Sequence, residues 1–534
     1  MTYKYRDSLV PPNDIHHHVY PVTSYFQGQE HDYKVVCYFG SWAVYRPGDG
    51  KFKISDIDPF ICTHLIYGFT GLGPDNKIRI LDPFNDVADN YGKAAYYHFN
   101  ALKKINVNLK TLIAIGGWNE GSVKYSNMAA NPASRKVFID SVVQFLKQYK
   151  FDGLDLDWEY PAARGGKPED KQNFVTLIRE IKNEFNKYGF LLTAAVSAGK
   201  HFIGPAYDVP QVSNYLDFIN VMCYDYHGGW ETFTGHNAPL YPRPDDNELN
   251  QILNVNFSIN YWISQGAARN KLILGMGLYG RSFTLSSASN TSLGAPAPQR
   301  GEAGPYTREK GSLGYNEICE SQMREPWTIV QDPYYMAPYA YKGRQWVGYD
   351  DVESIKRKVR YAKVMGLGGG MVWSIETDDF TGKCHTQRYP LLQAINEEFA
   401  DPRMDLPLPP KKTPSSGIEQ ETESTTTSTS STVSSSTTSS TSQSPSTVKP
   451  DSQTSPEEPE VVKILCTNEG SHPHPKNCSR FIQCTNDGKK FVAYELTCST
   501  NTVFNPKTGL CDWPDNVPNC YDYYYYRKYA LYIP

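Results

Sequence analysis

Between residues 33 and 401, short apolar runs alternate with longer segments in which apolar positions recur every three to four residues. Eight runs stand out: Val35 to Gly40, Leu65 to Gly71, Leu109 to Trp118, Gly153 to Tyr160, Leu191 to Gly199, Phe218 to His227, Leu272 to Arg281 and Gly369 to Glu376. Between several of them the spacing predicts helices, as over Ser134 to Tyr149 and Lys171 to Tyr188. This alternation is the pattern of repeated βα units around a parallel sheet. Eight such units predict a closed barrel. The stretch between Arg281 and Gly369, about 85 residues rich in Gly, Pro and Tyr, is far longer than an ordinary loop. It predicts an inserted subdomain over about 282–350, built on a small sheet that walls one side of a groove.

From Pro402 to about Val461 the apolar pattern stops, and Ser424 to Thr447 is almost wholly Ser and Thr. Such a segment cannot offset its ordering entropy by burying apolar surface, so it predicts a disordered, O-glycosylated stalk. As a bare coil of about 50 residues its ends would lie roughly 40 Å apart. The chain has 11 cysteines. Five are spread from Cys37 to Cys384, and six are packed between Cys466 and Cys520. Six cysteines in so short and weakly apolar a stretch predict a small disulfide-stapled module from an oxidising compartment. Zinc is disfavoured there because no Cys-x-x-Cys pair occurs. The expected division is a terminal extension over 1–32, a barrel over 33–401, a linker over 402–461, a β module over 462–521 and a Tyr-rich tail over 522–534.

The 534 residues are 40% hydrophobic, enough for a large core. A net charge of −4, from 53 Lys+Arg against 57 Asp+Glu, provides no basic field for phosphate backbones or anionic lipid. Nucleic acid is therefore not an expected partner, nor is a membrane, since no long apolar run offers an anchor. An extracellular chain should open on a signal peptide, yet Met1 to Glu30 is polar, so the start is read as incomplete or misassigned. The run His16, His17, His18 is read as incidental. No metal or cofactor is called for.

The chemistry concentrates in the fourth run. Strand side chains alternate faces, so Asp155, Asp157 and Glu159 point one way and Leu156 and Trp158 the other. Barrel enzymes place their sites at the C-terminal strand ends, where Glu159 falls. Crowded carboxyls cannot all ionise cheaply, which should leave a proton on Glu159 near neutral pH. The plainer alternative is a metal-binding or solvated acidic cluster.

The run Phe151-Asp152-Gly153-Leu154-Asp155-Leu156-Asp157-Trp158-Glu159-Tyr160 resembles the signature of glycoside hydrolase family 18, the chitinases and chitinase-like lectins. Leu112-Ile113-Ala114-Ile115-Gly116-Gly117-Trp118, Met222-Cys223-Tyr224-Asp225-Tyr226-His227-Gly228 and Met371-Val372-Trp373 extend the match over roughly Tyr33 to Phe399. The resemblance implies an α/β fold, the (β/α)8 TIM barrel, and an endo-acting, monomeric chitinase without cofactors. It implies retaining hydrolysis of chitin in which the substrate's own acetamido group is the nucleophile. Glu159 would be the acid/base. Asp157 would hold the acetamido N–H and share a proton with Asp155, and Tyr224 would donate to the acetamido oxygen, with Asp225 and Met222 shaping the pocket. Trp373 would be its floor, with Trp42, Trp118 and Tyr38 as further sugar platforms. Phe69, Tyr160, Gly116, Gly117, Tyr279 and Arg281 complete the expected contacts.

The cysteine gaps of 11, 5, 13, 12 and 8 residues in the C-terminal module, with Phe481-Ile482-Gln483-Cys484 and Cys511-Asp512-Trp513-Pro514, resemble the peritrophin-A type of chitin-binding domain. By spacing alone fifteen pairings are open. The resemblance implies Cys466–Cys484, Cys478–Cys520 and Cys498–Cys511, and in the barrel Cys37–Cys62 and Cys319–Cys384, leaving Cys223 as a buried thiol. Phe481, Tyr494, Phe504 and Trp513 are candidates for stacking on chitin or its oligosaccharides, at least half of them expected to be core. Sequons at Asn256 and Asn290 would carry glycans in a secreted chain. The rival readings are a lectin that has lost the acid, and a glycosidase acting on N-glycans. Glu159 speaks against the first and the chitin-binding module against the second.

Overall fold

The computed structural model describes residues 31–410 and, further on, residues 470–473, 480–486, 491–498, 503–506, 510–512 and 517. The Ser/Thr run and the Tyr-rich tail lie outside the described residues. The chain divides into two units, Met1–Lys412 and Thr413–Pro534.

The first unit is a parallel barrel of eight strands: β1 (Lys34–Gly40), β2 (His64–Leu72), β3 (Lys110–Gly116), β4 (Gly153–Asp157), β5 (Leu191–Ser197), β6 (Phe218–Met222), β7 (Leu272–Gly277) and β8 (Gly369–Trp373). Each pairs with its neighbour in chain order, and β1 pairs with both β2 and β8, which closes the barrel. Alternation sorts the side chains into two layers. Val36, Tyr38, Ile66, Leu112, Ala114, Ile273 and Met371 fill the barrel. Val35, Cys37, Phe39, Ile113, Leu154 and Leu156 pack in the layer under the helices. Strands buried on both faces read as continuous apolar runs, which is why the sequence showed no alternation there.

The helix predicted from Ser134 begins at Pro132, because the Asn131 side chain accepts from the backbone of Ala133 and Ser134 at 2.8 and 3.2 Å and proline suits the first turn. The helix predicted over Lys171 to Tyr188 spans Asp170–Phe185. Several runs overshoot their strands. β4 stops at Asp157 and β6 at Met222, and the run from Leu272 to Arg281 is two strands, β7 and Tyr279–Thr284, of which the second leaves the barrel. Past these strand ends the chain stays apolar and aromatic because Trp158, Cys223, Tyr226 and Leu278 remain in the buried core.

The insertion is a six-stranded sheet made by Tyr279–Thr284, Gln299–Arg300, Ser312–Gly314, Thr328–Asp332, Ala337–Lys342 and Gln345–Gly348, with one helix, Tyr315–Arg324. It has its own core of Phe283, Leu285, Ala295, Ala297 and Trp346. Cys37 is bonded to Cys62, and Cys319 to Cys384, the latter tying the insertion's helix to the loop after β8. Cys223 is free and buried, and burial pushes its thiol up to about 12. No helix among the described residues is long and apolar enough to cross a membrane.

In the second unit, Gly470–Pro473, Arg480–Asn486 and Phe491–Thr497 form an antiparallel sheet, beside a hairpin of Val503–Asn505 and Leu510–Asp512. Phe481 stacks on Phe504 with ring centroids 5.0 Å apart, and Phe504 is only 2% exposed. Phe504 is thus a core residue with no free face, a correction to its reading as a sugar platform. Cys484 and Cys498 each take part in a disulfide. The Tyr494 side chain, Trp513, and cysteines 466, 478 and 520 lie outside the description.

Candidate active site

The acidic strand points into the barrel mouth. Asp155 is fully buried, and its carboxylate accepts from Thr193 at 2.5 Å, Tyr38 at 2.6 Å and Asn220 at 3.2 Å. Burial pushes its pKa up to about 6, against the pull of those three donors. Asp157, one step nearer the mouth and 4% exposed, has an Oδ1 without a hydrogen-bond partner among the described residues. Burial, then the negative charges of Glu159 and Asp155, lift its pKa well above the carboxylate range. Glu159 follows, two residues beyond the strand and partly exposed. Burial raises it to about 7, Asp225 adds to the rise, and Tyr160 and the Arg164 charge oppose it. The stack therefore has an anchored carboxylate at its base and protons held toward its open end.

Backbone crowding at β3 explains the glycine pair. A Cβ on Gly116 would sit 2.0 Å from the Asp157 carbonyl oxygen, and both Gly116 and Gly117 adopt left-handed φ, +121° and +86°. Gly117 donates its N–H to that carbonyl at 2.8 Å. Both glycines thus hold the strand end in place. Non-proline cis peptide bonds occur at Gly68–Phe69, Glu159–Tyr160 and Trp373–Ser374, all bordering the site.

Across the mouth, Tyr224 is 9% exposed, and its hydroxyl reaches the Met371 sulfur at 3.8 Å, a weak acceptor. Asp225, at φ 60°, receives the Tyr279 hydroxyl at 2.6 Å and a fork from Arg281 at 2.7 and 2.8 Å. The Arg281 guanidinium also lies 5.3 Å from the ring centres of Trp230 and Tyr279. Tyr279 and Arg281 therefore hold Asp225, and Arg281 packs over Trp230.

The floor is aromatic. Trp373 packs against Tyr38, Phe69 and Trp42 with centroids 5.5, 5.8 and 6.1 Å apart. Trp42 and Trp118 keep open faces, 42% and 47% exposed. Tyr38 is 1% exposed, so it offers no face to a sugar; its hydroxyl supports Asp155. Met222 and Tyr160 are half-buried beside the site, Tyr160 packing on Phe202 at 4.9 Å. Trp158 faces away, against Tyr125 and Phe174.

Sequence reasoning passed over Thr193, Asn220, Arg164, Trp230 and Glu376. Thr193 and Asn220 were detectable as polar residues at inward positions of apolar strands. Glu376 is fully buried, and accepts from the Gly40 N–H at 3.1 Å and the Ser374 hydroxyl at 2.7 Å, fastening the loop of Trp42 to that of Trp373. A cavity of about 880 Å³ opens elsewhere on the barrel, lined by Phe52, Ile57, Phe60, Leu102 and Ile105 among others, and holds none of the site carboxylates.

Comparison with known proteins returns two families. Residues 34–378 match the glycosyl hydrolases family 18, and residues 466–520 the chitin binding peritrophin-A domain. The endochitinase of Manduca sexta is 39% identical over 531 residues, covering 90% of this chain and 94% of that one. Of probable chitinase 10 of Drosophila melanogaster, 43% identical, the chain spans 17%. Ostrinia furnacalis Group IV chitinase, solved in complex with allosamidin, is 46% identical with a TM-score of 0.67, covering 69% of this chain and 99% of that one. Human YKL-39, described as a pseudo-chitinase with retained chitooligosaccharide binding, is 41% identical with a TM-score of 0.63, covering 69% of this chain and 100% of that one.

Proposed function

The chain belongs to the glycosyl hydrolases of family 18, and on that premise we propose that it is a chitinase that cleaves β-1,4 links between N-acetylglucosamine units with retention and with help from the substrate. Glu159 protonates the leaving oxygen while the acetamido carbonyl oxygen bonds to the anomeric carbon, giving an oxazolinium ion. Glu159, now a carboxylate, then takes a proton from water as that water opens the ring at the same carbon. Asp157 orients the acetamido N–H and, by passing the proton it shares with Asp155 to that residue, becomes the carboxylate that balances the developing positive charge. The Tyr224 hydroxyl, which meets only the weak sulfur acceptor of Met371 among the described residues, is free to donate to the acetamido oxygen. Asp155, held by its three donors at the base of the stack, is the acceptor of that proton.

The observation that carries this reading is the graded stack: one carboxylate anchored by three donors, an unpartnered buried neighbour, and an outer acid raised to about 7. A lectin without turnover has no need of an acid poised there. The peritrophin-A domain would hold the enzyme on the polymer, raising the local concentration of the barrel at the surface, and its cysteine-rich make-up fits a secreted chain. The test is Glu159→Gln in the full chain. Hydrolysis of soluble chitin oligomers should vanish and binding to chitin beads should remain; retained turnover would refute the assignment.

A further inference from the structure

Arg164 stands outside the acidic motif but grips both the acid and a sugar platform. Its loop is held in a costly shape, with Ala162 and Arg164 at φ 60° and 51°, a region that side-chain-bearing residues rarely enter. Buried Asp170 fastens that loop, accepting from the N–H of Ala162 at 3.3 Å, the N–H of Lys167 at 2.7 Å and the hydroxyl of Ser126 at 2.8 Å. The result turns the Arg164 side chain back toward the mouth. There Nη1 donates to the Glu159 carbonyl at 3.0 Å and Nη2 to the Trp118 carbonyl at 2.9 Å. The guanidinium also lies over Trp118, its central carbon 3.5 Å from the ring centre. One face of the indole is thus taken by a cation, and Trp118 is still 47% exposed, which leaves its other face open to a ligand.

We infer that Arg164 is a positioning residue coupling the platform Trp118 to Glu159, so that a sugar stacked on the indole helps fix the backbone of the acid. The inference rests on Glu159 being the acid and chito-oligosaccharides the ligand. A planar fork that also stacks is what arginine provides and lysine does not. The charge has a second consequence. Glu159 is faced by Asp157, Asp225, Tyr160, Tyr207 and Tyr224, and Arg164 is the cation among these groups. Because it favours the ionised acid, its removal lets Glu159 keep its proton to higher pH, and the alkaline limb of kcat/KM moves upward.

The experiment uses the full chain with Arg164→Met, Arg164→Lys and Trp118→Ala, singly and with Trp118→Ala combined with each Arg164 variant. It measures kcat and KM on N-acetylchitopentaose across pH, with thermal melts alongside. Arg164→Met should lose about ten-fold or more in kcat/KM, raise the alkaline limb, and show a much smaller loss once Trp118 is already alanine. Arg164→Lys should keep the wild-type limb but lose the coupling. If the Trp118 and Arg164 losses simply multiply and no limb moves, Arg164 only braces its loop and the inference is overturned. Should Arg164→Met fail to fold, Arg164→Lys carries the same cycle. Should the wild type bind the pentaose without cleaving it, the enzymatic reading fails, while the Trp118–Arg164 coupling is still measured by tryptophan-fluorescence titration.

Discussion

Glu159→Gln should make the barrel more stable, and only at neutral to alkaline pH. The ordinary glutamate value of 4.5 is raised to about 7 in the fold, chiefly by burial. A carboxyl raised in this way binds its proton more tightly folded than unfolded. Its cost is absent below 4.5, grows as pH rises from there to 7, and is complete above both values. At about 1.4 kcal/mol for each pH unit between the two, the cost is about 3 kcal/mol. Glutamine has the same shape and never ionises, so it removes that cost while abolishing turnover. In a domain of this size the gain corresponds to roughly 5 °C in melting temperature. The assay is a series of thermal melts of wild type and mutant from pH 4 to pH 8.5. The curves should coincide at pH 4 and separate through pH 5–7. A mutant no more stable than wild type at pH 8, or equally stabilised at pH 4, would refute the reasoning.

Asp155→Asn removes a carboxylate that three donors serve, and an amide turns an NH2 toward at least one of them. kcat should fall by about a hundred-fold, and an unaltered kcat would show that the anchored carboxyl at the base of the stack is not used. Trp373→Ala takes away the ring that Tyr38, Phe69 and Trp42 surround. KM for chitin oligomers should rise about ten-fold, the worth of one stacked ring, and a fall in kcat alone would point to another role. A chain ending at Asp401 should cleave soluble oligomers as fast as the full chain but fail to sediment with chitin beads, and equal sedimentation would remove the anchoring role from the second unit.

What the sequence determined by itself was whatever depends on neighbours in the chain. Continuous apolar runs at regular spacing specify strands buried on both faces, and their number specifies closure. The parity of Asp155, Asp157 and Glu159 places three carboxyls on one inward line. The apolar pattern did not mark where strands end, because Trp158, Cys223, Tyr226 and Leu278 just beyond them stay in the buried core as the residues inside the ladder do. Only the tertiary structure decided which residues serve the acids. Thr193, Asn220 and Tyr38 come from three strands to meet Asp155, and Arg164 reaches Glu159 and Trp118 because Asp170 bends its loop back. Tyr38 shows the difference most plainly, since its sequence reading as a sugar platform became a buried donor once barrel closure enclosed its ring. Proton affinity follows the same division: the charges are written in the chain, but the burial that raises Asp157 and Glu159 exists only when eight strands exclude water from around them.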